Sequence, residues 1–202
     1  MSEVLRACAV FFLYAVAAMF AENAVFSRAL GVSRLVKLVD DSTVDTLVFG
    51  GLMCAVQLIS APLAKVANAL IQPFEFRSAV RPLAFILCSA VAFAVVLGLV
   101  LLIFKSRAKD IVAVLPMATF NTAVLGMMLL TATQGFSWVQ TMGFALGSGV
   151  GYTLAVVVVT ESQRKLRSRA VPAAFKGLPI TLIYISILTL AIYAFTGHRL
   201  AI

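Results

Sequence analysis

Two asparagines interrupt hydrophobic stretches of this chain, one in each half. Asn121 lies in Pro116-Met117-Ala118-Thr119-Phe120-Asn121-Thr122-Ala123-Val124-Leu125-Gly126, and Asn23 in Ala21-Glu22-Asn23-Ala24-Val25-Phe26, followed by Leu30-Gly31-Val32-Ser33. A primary amide in an apolar run must find partners, because an unsatisfied polar group in hydrocarbon costs several kcal/mol. Two chemistries follow. The amide bonds a neighbouring helix, or it supports a break in its own helix beside an ion path or cofactor, as discontinuous helices do at transport sites. Glu22 adds a carboxylate, and such a group inside a membrane reads by default as a proton or cation carrier. A straight helix from Val4 carries Glu22 to the far interface, whereas its likeness to the second motif sets it near the midplane; a break in the first helix reconciles the two. Arg28, six residues on, is its candidate counter-charge.

Other chemistries find little material. The one histidine, His198, is in the C-terminal tail, and no P-loop, dinucleotide fingerprint or Ser-His-Asp set is present. Gly147-Ser148-Gly149-Val150-Gly151 looks like a phosphate loop but sits in an apolar run rather than between a strand and a helix. With Gly143 it reads as a small-residue stripe that lets helices approach closely in lipid. Cys8, Cys54 and Cys88 lie far apart in apolar segments without a C-x-x-C. They read as free, buried thiols, and a ligand set brought together by folding stays open.

The elements that must position these residues are membrane spans. The chain has 202 residues and is 62% hydrophobic, against ~45–50% for soluble domains, and its mean hydropathy is +1.07. Apolar runs near 20 residues match a hydrocarbon core ~30 Å thick, and they are continuous rather than alternating, which excludes a transmembrane barrel. The first helix runs from Val4 into the Asn23 region or on towards Leu35, followed by a polar connection with Lys37, Asp40, Asp41 and Asp45. Ser42 or Thr43 is the expected cap of the second helix, Val44–Ile71, with a kink at Pro62. The third helix is expected from Arg81-Pro82 to Phe104, the fourth from Ile111 to Thr133, the fifth from Phe136 to Thr160 and the sixth from Leu178 to Phe195. Arg6 ahead of an apolar run resembles a signal peptide. Glu3 in the charged region and Met19 at the minus-three position of an Ala21 cut favour a retained helix.

A net charge of +8 on such a chain reflects topology rather than nucleic acid. With six spans, the first, third and fifth loops share a face and carry eleven of the sixteen basic residues: Arg28, Arg34, Lys37, Lys105, Arg107, Lys109, Arg164, Lys165, Arg167, Arg169 and Lys176. The opposite face carries Arg6, Lys65, Arg77, Arg81 and Arg199. The positive-inside rule then places both termini outside. The halves, about 1–105 and 106–202 of one integral membrane domain, look related. The Asn motifs match loosely, Gly50-Gly51 pairs with Gly147 and Gly149, and Arg81-Pro82 with Lys176-Gly177-Leu178-Pro179. An odd number of spans per repeat requires inverted repeats, which often hold a site at broken helices near the midplane.

Pro116 to Leu130 resembles the fourth span of the Rnf/Nqr membrane-subunit family. Leu83-Ala84-Phe85-Ile86-Leu87 is similar to its third span, Val171-Pro172-Ala173-Ala174-Phe175-Lys176-Gly177 to its fifth loop, and Phe195-Thr196-Gly197 to its tail. The A-type members are the nearest likeness. The resemblance implies an all-α membrane protein with six transmembrane helices as two inverted three-helix repeats, the first and fourth helices broken, around Gly31 and Gly126. It implies a bacterial inner membrane, with both termini outside. It also implies an oppositely oriented homologous partner and other Rnf-type subunits, and an iron–sulfur cluster shared between the breaks, in a complex that couples electron transfer to ion translocation. The family's cluster cysteines follow Leu-Gly-x in the first half and Asn in the second; this chain has Ser33 and Thr122 there. Hydroxyls are poor ligands for iron–sulfur clusters, so no cluster bound by this chain alone is expected.

Two functions remain open. One is a divergent A-type subunit, at most a non-catalytic part of a membrane oxidoreductase. The other is a cluster-free relative acting as a transporter of ions or small solutes or as a membrane scaffold, with Glu22, Asn23, Asn121 and Thr122 lining a polar path.

Overall fold

A computed structural model describes residues 2–40, 45–104, 108–166 and 172–196. Its elements are helices: α1 (Ser2–Met19), α2 (Val32–Asp40), α3 (Thr46–Ile71), α4 (Arg77–Ile103), α5 (Ala108–Thr119), α6 (Thr122–Thr133), α7 (Trp138–Leu166) and α8 (Leu178–Thr196), with a 3₁₀ turn at Ala173–Phe175. No strand occurs among the described residues. Ser42, Thr43, Lys105, Arg107, Arg167, Arg169 and His198 lie outside them.

Local chemistry fixes the ends. Asp45, not a residue of the preceding pair, caps α3: its backbone is extended and its carboxylate accepts from the Leu47 N–H at 2.9 Å. The helix then runs unbroken through Pro62. α4 begins at Arg77, a turn ahead of the expected Arg81-Pro82, so Pro82 lies inside it. The stretch through Lys37 and Asp40, expected as a connection, is helical. It is strongly amphipathic, burying Leu35, Val36, Leu38 and Val39 while Ser33 and Lys37 face out. α7 begins at Trp138 and extends past Thr160 to Leu166.

Among the described residues three helices are long and apolar enough to cross a membrane: Thr46–Ile71, Arg77–Ile103 and Trp138–Gln163. A fourth span arises if α5 and α6, bent by 48° at their break, count as one. α8 contributes a shorter apolar helix, Leu178–Ala194.

α7 is the axis. Of its apolar window 61% is buried, against 28% for α4, which lies outside and turns Leu83, Leu87 and Leu102 outward. α1 packs along one side of α7 and α3 along another; α3 also meets α4, α5 and α6. The stripe of small residues explains both contacts. A Cβ on Gly143 or Gly147 would overlap the backbone of Phe11 or Ala15 in α1, and one on Gly149 would press on Cys54 of α3. Backbones therefore approach closely, the usual basis of helix association in lipid. Tyr152, Phe49, Met53, Leu115 and Met127 fill the core around this axis.

Candidate functional site

The first helix is broken, as its conflicting cues required. α1 ends at Met19, and irregular turns occupy residues 20–31 before α2 begins. Asn23 organises them. Its Oδ1 accepts from the N–H groups of Val25 (2.9 Å) and Phe26 (3.2 Å), and its Nδ2 donates to Met19 O (2.8 Å) and Gly151 O (3.1 Å). One amide thus closes α1, starts the following turn and fastens the break to α7. It is 2% exposed and fully satisfied. Ala29 sits in the same turns at φ 54°, a conformation that costs an L-residue about 1–2 kcal/mol.

The second break repeats the device. Asn121 is extended between α5 and α6 (φ −113°, ψ 135°), and its Oδ1 accepts from Ala123 N–H at 3.0 Å. Pro116, which lacks an N–H to continue the ladder, precedes the break by one turn. Asn121 is 3% exposed; its Nδ2 has no hydrogen-bond partner of good geometry among the described residues, and its side chain lies beside the Tyr152 hydroxyl.

Gly31 joins the two. Its N–H donates to Thr122 Oγ1 (2.7 Å) and its carbonyl accepts from Tyr152 Oη (2.8 Å). A Cβ here would lie 2.6 Å from Asn121 Oδ1, and φ is 75°, so both space and backbone demand glycine. Gly126 has a different place from the one expected. It lies inside α6 rather than at the break, where its bare Cα receives Leu30. Tyr152 escaped the sequence reading; the available signal was a tyrosine directly after the glycine stripe, one residue past Gly151.

Glu22 and Arg28 do pair. Arg28 Nε donates to Glu22 Oε2 at 3.0 Å, and Nη2 adds a second bond to the same oxygen. The side chains are 42% and 33% exposed, so the carboxylate lies at the outer edge of the break rather than in the core beside Asn23. Ser33, in the first turn of α2, and Thr122, first in α6, are both exposed. Of the cysteines, Cys8 is exposed on α1 instead of buried, and Cys54 and Cys88 are half-buried on α3 and α4. No group of three or more His, Cys, Asp or Glu able to hold a metal occurs among the described residues. The donor set at the meeting of the breaks is hydroxyl and amide, which does not fit a thiolate-held iron–sulfur cluster.

One more polar side chain stands apart. Gln57, in the middle of α3, is fully buried, and neither amide atom has a hydrogen-bond partner among the described residues.

Apolar helices around two asparagine-capped breaks, joined through one glycine, define an integral membrane protein with discontinuous helices. The family model described as "Rnf-Nqr subunit, membrane protein" matches residues 11–199. The chain belongs to the Rnf-Nqr subunit family. It is 35% identical over 144 residues to the A subunit of the ion-translocating oxidoreductase complex of Azoarcus sp. (strain BH72), covering 69% of this chain and 72% of that one. It is 29% identical over 187 residues to the A subunit of the Na(+)-translocating ferredoxin:NAD(+) oxidoreductase complex of Acetobacterium woodii, covering 92% and 96%. The A subunit of the ion-translocating oxidoreductase complex from Syntrophotalea carbinolica is 48% identical over 83 residues. That alignment spans 41% of this chain and less than half, 43%, of the relative.

Proposed function

We propose that this chain is an A-type membrane subunit, or a divergent paralogue of one, in an ion-translocating electron-transfer complex of the Rnf/Nqr type. It forms one domain of six spans, two inverted repeats of about 1–105 and 106–202, in a bacterial cytoplasmic membrane with both termini outside. Its neighbours are an oppositely oriented homologue and the other members of the complex. The names of its relatives support the assignment.

The observation that carries the repeat is reciprocal packing: the first helix of the first half lies on α7, the second of the other half, while α5 and α6 lie on α3. An exchange of the halves would relate these two contacts and make α3 against α7 the self-pair, although α4 meets α5 and α6 without a comparable contact of α8 on α1 or α2. The two asparagines support the repeat, each accepting from the N–H two residues on.

The role differs from that of cluster-bearing relatives. Ser33 and Thr122 hold the positions of the family's thiolates, and Thr122 Oγ1 already accepts the Gly31 N–H. The chain acts as the scaffold of an electron relay without gripping its metal. Purification with its co-purifying partners, followed by iron analysis and EPR, tests the reading. Co-purification with other Rnf-type subunits and no iron signal dependent on this chain is expected; a stoichiometric signal lost on its removal would overturn it. Alkaline phosphatase fused to the C-terminus should be active, because that end faces outside.

A second reading, a cluster-free transporter, is favoured by Asn121, a buried amide at the break whose Nδ2 finds no hydrogen bond of good geometry among the described residues although Tyr152 lies beside it. Purification as an isolated chain, with solute uptake into liposomes lost in Asn121→Ala, would select it.

A further inference from the structure

The end of the molecule where α3 finishes and α6 turns into α7 holds a cavity of about 320 Å³. Lys65 and Asn68 of α3 and its C-cap Gln72 line one side, and Thr131, Phe136 and Thr141 the other. Local structure explains the hollow. α6 ends at Thr133 with Gln134 as its C-cap, and Phe136 N–H returns to Thr131 O at 3.2 Å, closing a Schellman turn. The small residues Ala64 and Ala69 leave the opposite wall low.

The lining is chemically one-sided. Lys65 is its cation, and none of the lining residues is acidic. The ammonium donates to the Phe136 carbonyl and lies 5.4 Å from the centre of the Trp138 ring. An ammonium has three donors, so this carbonyl does not exhaust it. Asn68 Oδ1 is buried and has no donor among the described residues. A ligand matched to these walls carries an anion for Lys65 and a hydroxyl hydrogen for Asn68.

The cavity also has a depth. Lys65 is six residues before the end of α3 at Ile71, about 9 Å at ~1.5 Å per residue, which its stem spans by snorkelling. Trp138, 52% exposed at the start of α7, and Phe74 and Phe76, 63% and 76% exposed just past α3, are the aromatic residues of a membrane–water interface. With both termini outside, as proposed, this end of α3 meets the outer leaflet, where headgroup phosphates lie at the level of the Lys65 ammonium.

We propose that this cavity binds the headgroup of an anionic phospholipid, its phosphate on Lys65 and a headgroup hydroxyl donating to Asn68 Oδ1. The chemistry is that of a phosphatidylglycerol. A zwitterionic headgroup brings a second cation to a wall with no carboxylate to receive it.

Native mass spectrometry of the full-length protein, with any partners that accompany it, tests this. Detergent-solubilised protein is titrated with dioleoylphosphatidylglycerol or dioleoylphosphatidylcholine. Retention of the phosphatidylglycerol is expected to be roughly fivefold the better, the value of one basic residue near a lipid surface. Lys65→Ala should abolish the preference and Lys65→Arg restore it. Lys65 also braces the Phe136 turn, so Asn68→Asp serves where Lys65→Ala does not fold: it places an anion in the cavity and should remove the preference. Equal retention of both lipids, or a preference that survives Asn68→Asp, overturns the proposal. Displacement of bound lipid by millimolar inorganic phosphate would assign the cavity to a free anion instead. The outcome is independent of iron content and of co-purifying partners, so it stands or falls apart from the assignment to an electron-transfer complex.

Discussion

The Gly31 N–H donates to Thr122 Oγ1 across 2.7 Å, joining residues 91 apart in sequence. It couples the two helix breaks through a single hydroxyl. Thr122→Val keeps the shape and deletes the acceptor, leaving an N–H with little access to water. A loss of about 1–3 kcal/mol is expected, read as a lower unfolding midpoint in detergent, whereas Thr122→Ser should stay near wild type. Equal stability of the valine and serine variants would show that the breaks are joined by packing alone.

The two asparagines are alike in sequence but unequal in load. The Asn23 side chain makes four hydrogen bonds, reaching α1, its own turn and α7, whereas that of Asn121 accepts from Ala123 N–H and otherwise lies beside the Tyr152 hydroxyl. Replacing a simple cap costs about 1 kcal/mol, and that is the loss expected for Asn121→Ala. Asn23→Ala also strands the buried N–H groups it served, and a loss of at least ~2 kcal/mol is expected. Parallel unfolding curves in urea and detergent give the order, and the reverse order would contradict the hydrogen-bond assignment.

Gly147 and Gly98 offer a matched test of close approach. A Cβ at Gly147 would overlap the Ala15 backbone of α1, whereas one at Gly98 of α4 meets nothing within 4 Å. Gly147→Val should destabilise by about 1–3 kcal/mol through overpacking. Gly98→Val should change little in the same detergent melt.

Gln57 carries an amide at 0% exposure with neither atom bonded among the described residues. Removing an unsatisfied buried polar group while keeping its volume is neutral to stabilising, so Gln57→Leu should raise the unfolding midpoint. Ion-driven transport by the assembled complex in liposomes should fall if the amide serves a polar path. A stable variant with full transport would make Gln57 a structural passenger.

Much of this was legible in the chain because the membrane simplifies the problem. Apolar runs mark helices, and Gln72-Pro73, Gln134-Gly135 and Leu178 mark ends close to those observed. Asn23 and Asn121 stood out because amides are costly in hydrocarbon. What could not be read was tertiary. That Gly31 meets Tyr152 and Thr122, or that Leu30 fills the notch at Gly126, depends on which helix faces which. The amphipathic α2 reads as a linker when its charges are counted before its apolar spacing, and Pro82 reads as a helix start because proline tolerates that position.

The bond from Asn23 Nδ2 to Gly151 O spans 128 residues, and that distance is also an interval of time. At ~5–20 residues per second, the ribosome needs about 6 to 25 s to make that length of chain. Through that interval the newborn first helix waits for the backbone that will receive its asparagine. Its broken end must meanwhile be sheltered by the insertion machinery, by water at the interface or by a partner protein already in place. Residues 20–31 therefore meet the conditions of synthesis and insertion before they can meet α7.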